Sequence, residues 1–167
     1  MMPAIWKKAV LLWVFMLAAC TVQLAPSYDQ ALVEGLDEAN AAALTLFASV
    51  ETGSPQSEYG EYEERYAQLI GTFDALRQRA MNRQIPPLTE RLSRLSIVRD
   101  YCNSESDPTG CLNASPASLE SALTLLRRMR DTHNSPSGLA PDIVQAFRDS
   151  YNVAIAQALT VENALKR

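Results

Sequence analysis

The segment YGEYEERYAQLIGTFDALRQRA, residues 59–80, places Tyr59, Tyr62, Tyr66, Leu69, Phe73, Leu76 and Ala80 at steps of 3, 4, 3, 4, 3 and 4. Side chains so spaced fall along one stripe of an α-helix, whereas a strand sends alternate residues to each face. The strict alternation makes the stripe a heptad seam, the pattern of helices that pack side by side. It predicts a helix over about residues 56–82, ended by Ile85-Pro86-Pro87, because proline breaks a helix interior.

The same pattern recurs on either side. Residues 28–51 carry Leu32, Leu36, Ala39, Ala43, Leu46, Phe47 and Val50 on one face, and Thr52-Gly53-Ser54-Pro55 closes that segment. Residues 141–164 repeat the seam with Val144, Phe147, Tyr151, Ala154, Ala158, Val161 and Leu165. Two shorter helices are expected between the long ones. One turns Leu88, Leu92, Leu95 and Val98 inward and ends near Cys102; the other opens with Ser115 as N-cap and Pro116 in the first turn, and buries Leu119, Ala122, Leu126 and Met129. The expected fold is all-α, an antiparallel bundle of four to five helices near a +20° crossing, forming one domain over residues 28–167.

The first twenty residues read differently. Lys7 and Lys8 precede an unbroken apolar run of eleven residues, Ala9 to Ala19, short of the roughly 20 that span a bilayer. A basic start followed by such a run is a secretory signal. Its end, Leu17-Ala18-Ala19-Cys20, resembles the lipobox of bacterial lipoproteins. The resemblance implies that residues 1–19 are a signal peptide and that Cys20 becomes the lipidated first residue. Residues 20–27 have little periodicity and are expected to be a short tether to the bundle. Several acyl chains on one cysteine make an effectively permanent anchor. Thr21 follows the cysteine where lipoproteins of this kind retained in the inner membrane often carry Asp. The expected location is the inner leaflet of the outer membrane, with the bundle facing the periplasm.

Processing leaves 148 residues with 13 basic and 19 acidic side chains, a net charge of −6. Nucleic-acid binding, which needs a basic surface to neutralise phosphates, is not expected. Cys102 and Cys111 flank the polar stretch NSESDPTG, residues 103–110, and an oxidising compartment makes a disulfide their default state. Closing so short a loop stabilises by about 2.5–3 kcal/mol if unstrained.

Charge is segregated along the chain. From Cys20 to Glu64 there are nine acids and no Lys or Arg, whereas residues 75–99 hold six arginines against Glu90 alone. Guanidinium favours bidentate pairing with carboxylate or phosphate, so these arginines either pair across the bundle or, with Arg77, Arg83, Arg91 and Arg94 as the candidates, dock an anionic partner. Tyr59, Tyr62 and Tyr66 are candidates for a partner-binding face, since tyrosine offers large contact area at low entropic cost; the plainer alternative is core and rim packing.

Phosphate-loop, H-E-x-x-H, G-x-S-x-G and C-x-x-C-H patterns are missing from the sequence. The single His133 ends a predicted helix, where a positive charge suits the dipole. No catalytic residue, metal or cofactor is therefore expected. The expected function is a non-enzymatic binding or assembly adaptor for another envelope component. The alternatives are a peptidoglycan-acting enzyme using Glu58, Glu61, Glu63, Glu64 or Glu105, and a small-ligand or haem carrier using His133 with Met81 or Met129.

Overall fold

A computed structural model of the chain describes residues 25–96 and 113–166. These form α1 (Gln30–Ser49), α2 (Tyr59–Met81), α3 (Pro87–Ser93), α4 (Ser115–His133) and α5 (Pro141–Ala164), with a 3-10 turn at Gln56–Glu58 leading into α2. The expected all-α bundle of four to five helices is observed, with five helices among the described residues. Four of the helices are long rather than three, since α4 runs for 19 residues.

Around the bundle α1 packs on α2, α2 on α4, α4 on α5, and α5 back on α1. Contacts at the helix ends make every neighbour antiparallel. Arg79, near the end of α2, donates to both carboxylate oxygens of Asp29 at 2.6 and 2.9 Å. Asp29 also caps α1 by accepting from the Leu32 amide at 3.2 Å, one of the orphan donors of a helix start. The adjacent Arg79 guanidinium, ahead of the Leu32 amide, holds the Asp29 carboxyl below its usual range against a smaller opposing effect of burial.

At the other end the α1–α2 and α4–α5 loops join through an isolated antiparallel bridge, with Ser54 and Leu139 exchanging backbone bonds of 2.9 and 2.8 Å. Gly53 and Gly138 take φ of 90° and 60°, and a Cβ on Gly138 would stand 2.7 Å from the Ser54 carbonyl oxygen. The two glycines let the loops touch.

The core follows the predicted stripes. All seven inward residues predicted for α1 are buried, as are Leu119, Ala122, Leu126 and Met129 of α4 and the Tyr66–Ala80 part of the α2 seam. In α5 the stripe drifts. Phe147 and Val161 are half-buried, while Ile155 and Glu162 are buried with Tyr151, Ala154 and Ala158. A straight helix of 3.6 residues per turn slips about 20° per heptad against a 3.5 repeat. That slip carries position 162 into the core in place of 161.

The expectations for two other segments are corrected. Ala114, not Ser115, precedes α4, and no side chain caps it, a one-residue shift at a helix end. Leu88, Leu92 and Leu95 are exposed rather than inward. Among the described residues the four long helices close on one another without the leucines of the seven-residue α3, and Thr89 is its one described residue that is buried. Val98 lies outside the described residues.

Candidate functional site

The three tyrosines of α2 converge on His133, the last residue of α4. Tyr59 and Tyr66 stack at 6.3 Å between ring centres, and His133 sits 5.6, 5.3 and 5.9 Å from Tyr59, Tyr62 and Tyr66. The heptad steps put the tyrosines on one face, and the antiparallel α4 ends opposite them. Tyr66 is fully buried; Tyr59 and Tyr62 are half-buried. The expectation that Tyr66 faces a partner is thereby corrected, since its ring is spent on the core. Tyr62 keeps an outer edge, where its hydroxyl donates to the Ser49 carbonyl at 3.3 Å and the Arg65 guanidinium lies 5.6 Å from its ring.

Hydrogen bonds fix the polarity of this cluster. The Ser54 hydroxyl donates to Glu58 Oε2 at 2.8 Å and so accepts from His133 Nε2 at 3.0 Å. Nε2 then carries the proton, and Nδ1 accepts from the Tyr66 hydroxyl at 3.2 Å. The path runs from a buried phenol, through a neutral imidazole and a serine, to a carboxylate. Burial pushes His133 below its ordinary pKa, opposed by the Pro55 carbonyl and the Glu58 charge. Burial and the neighbouring Tyr59 and Tyr62 raise Tyr66. The charged helix cap expected at His133 is corrected: the residue does end the helix, but it is fully buried in a site that disfavours its charge.

A serine beside a histidine invites a nucleophile–base reading, but the bond runs the wrong way, because imidazole here donates to the hydroxyl. Nε2 carries the proton and the Nδ1 lone pair accepts from Tyr66, so neither nitrogen is free for a haem axis, and Met81 lies exposed near the opposite end of the bundle. Among the described residues no three His, Cys, Asp or Glu side chains gather as a metal requires. Glu61, Glu63 and Glu64 are exposed; Glu105 lies outside the described residues. The cluster ties α2 and α4 to the α1–α2 loop.

The candidate arginines separate. Arg77 pairs with Asp74 at 3.0 Å on its own helix and with Glu120 of α4 at 3.1 Å. Arg83, with a side chain 6% exposed, clasps the fully buried Glu162 of α5 through two bonds, one of 2.8 Å. Arg83 as a docking residue is thus corrected, its charge being turned inward on a carboxylate. Arg91 and Arg94 stand exposed on and just beyond α3, Arg94 paired with Glu90 at 2.8 Å. Sequence reasoning missed Glu162; the four-residue step from Ala158 was the available signal.

Between α1 and α2 lies an open groove of about 470 Å³. Ala39, Ala42, Leu46 and Leu69 contribute its apolar surface, and Glu38, Arg65, Gln68 and Thr72 its polar lining. Nearer the Asp29 end the same helices pack tightly, since a Cβ on Gly35 would stand 2.7 Å from Leu76. The groove opens where the facing side chains are Ala39, Ala42 and Thr72, too small to meet.

Residues 8–166 match the family described as Protein of unknown function (DUF3053). The chain belongs to this family. The DUF3053 match spans Cys20, the whole bundle and both other cysteines, Cys102 and Cys111, none of which lies among the described residues. No curated protein and no solved structure matches the chain. No helix among the described residues is long and apolar enough to cross a membrane.

Proposed function

We propose that the protein is a lipid-anchored, periplasm-facing helical bundle that acts as a non-enzymatic binding or assembly adaptor for another protein of the cell envelope. The observation that carries this reading is the α1–α2 groove. An apolar floor of alanine and leucine with Glu38 and Arg65 at its edge suits one face of an amphipathic helix, with charge to set its register. The half-buried rims of Tyr59 and Tyr62 extend that surface towards the loop end of the bundle. The anchor rests on the lipobox resemblance at Leu17–Cys20, and the outer membrane on Thr21. A Cys102–Cys111 disulfide belongs to the same reading, because the signal delivers both thiols to an oxidising compartment.

Photo-crosslinking in intact cells tests the adaptor. Probes at Ala42, Gln68 and Tyr62 are expected to capture one dominant envelope protein, and probes on the exposed face of α5 none. Capture of nothing above background from the groove refutes the adaptor. Mass spectrometry of the purified chain tests the rest: the acylated residue should be Cys20, and reduction should add about two mass units if the remaining cysteines are paired.

A further inference from the structure

Three features meet at the Asp29 end of the bundle. First, the chain enters α1 there, and the Arg79–Asp29 pair fixes that entry beside the end of α2. Nine residue-to-residue steps lead from Cys20 to Asp29, a reach of at most about 30 Å. Second, Leu88, Leu92 and Leu95 are 40%, 36% and 50% exposed at steps of four and three, with Met81 nearby in the chain at 56%. That spacing aligns the leucines on one side of α3 and the turn after it. Third, Arg91 and Arg94 lie beside the leucines, two positive charges against the one carboxylate of Glu90, which Arg94 holds at 2.8 Å.

We propose that this end of the bundle is a second membrane contact, in which Leu88, Leu92 and Leu95 enter the acyl boundary of an anionic phospholipid surface while Arg91 and Arg94 meet its phosphates. The inference rests on the lipid anchor proposed above. An anchor of that reach keeps the α3 end near the bilayer that holds Cys20, and an apolar stripe edged by arginine is the chemistry of an interfacial helix. The Ser54–Leu139 end then points away from the membrane by the length of α1, about 30 Å for 20 residues. The groove lies between the two ends, open to the periplasm.

Both tryptophans, Trp6 and Trp13, precede Cys20, so the processed chain carries none and a single introduced tryptophan reports on its own site. Full-length Leu92→Trp and Ser57→Trp chains, processed in cells and reconstituted into phosphatidylcholine–phosphatidylglycerol vesicles with brominated acyl chains, provide the test. Both positions are exposed. Emission from Leu92→Trp should be quenched several-fold more than that from Ser57→Trp, and adding Arg91→Gln and Arg94→Gln should weaken the quenching. Equal quenching at the two sites, with Cys20 acylated by mass, overturns the contact and leaves the anchor standing. A blue-shifted Leu92→Trp that bromine does not quench also overturns it, placing protein rather than lipid over the leucines. An unmodified Cys20 in the same sample removes the anchor and this inference together.

Discussion

Arg83→Met strands a carboxylate in the bundle core. Glu162 is fully buried, and among the described residues its one ion pair is the two-bond clasp of Arg83. Removing one partner of a buried pair costs about 3–5 kcal/mol, because the remaining charge keeps its desolvation penalty without its counter-charge. At roughly 2–4 °C per kcal/mol for a domain of this size, the melting temperature falls by about 6–20 °C. The double variant Arg83→Met, Glu162→Leu fares much better, since replacing both partners by apolar groups is often neutral or stabilising. Relief is favoured further because Arg83 Nε is buried without a hydrogen-bond partner, so the wild-type pair is itself imperfectly satisfied. Denaturant unfolding followed by circular dichroism reads the wild type and both variants, with the midpoint shifting at constant slope. A single variant losing less than about 1 kcal/mol, or a double variant no better than the single, refutes this account.

The His133 cluster predicts a pH dependence. The folded protein holds His133 below the ordinary value of 6.5, so the unfolded chain binds the proton first. Stability is complete above about pH 6.5, declines as the pH falls below it, and levels off once the folded histidine also titrates; unfolding of His133→Gln should lack this slope between pH 7 and 5. Tyr66→Phe leaves His133 Nδ1 without its donor in the core and should cost about 1–3 kcal/mol, against less than about 1 for Tyr62→Phe, whose hydroxyl bond is at the rim. Gly138→Ala meets both a positive φ and the Ser54 carbonyl and should destabilise by about 1–3 kcal/mol in thermal melts.

The helices were legible because periodicity and proline carry them. Tyr66, Phe73 and Ala80 fall on the buried stripe that their spacing requires, and Pro141 opens α5 where a first-turn proline belongs. What was not legible depends on partners distant in sequence. His133 reads as a charged cap until α2 and the α1–α2 loop close over it, and Ser54 reads as a turn residue until the fold sets its hydroxyl between His133 and Glu58. Arg83 and Glu162 are 79 positions apart, so nothing local distinguishes that arginine from Arg91. The stripe of α3 has helical spacing but no core to meet, since amphipathicity states that a face needs covering without saying by what.

The Ser54–Leu139 bridge also bears on how the protein survives among proteases. Hairpin tips are ordinarily where a chain is nicked, because an enzyme must draw the backbone out into an extended form. Here the two tips on this side of the bundle hold each other by paired main-chain bonds, with a glycine beside each contact. Drawing out either tip requires releasing the other, so the two loops resist cleavage as a unit. Among the described residues the first cut is then expected at the Gln84–Ile85 bond, in the connection between α2 and α3, where no such main-chain strap exists.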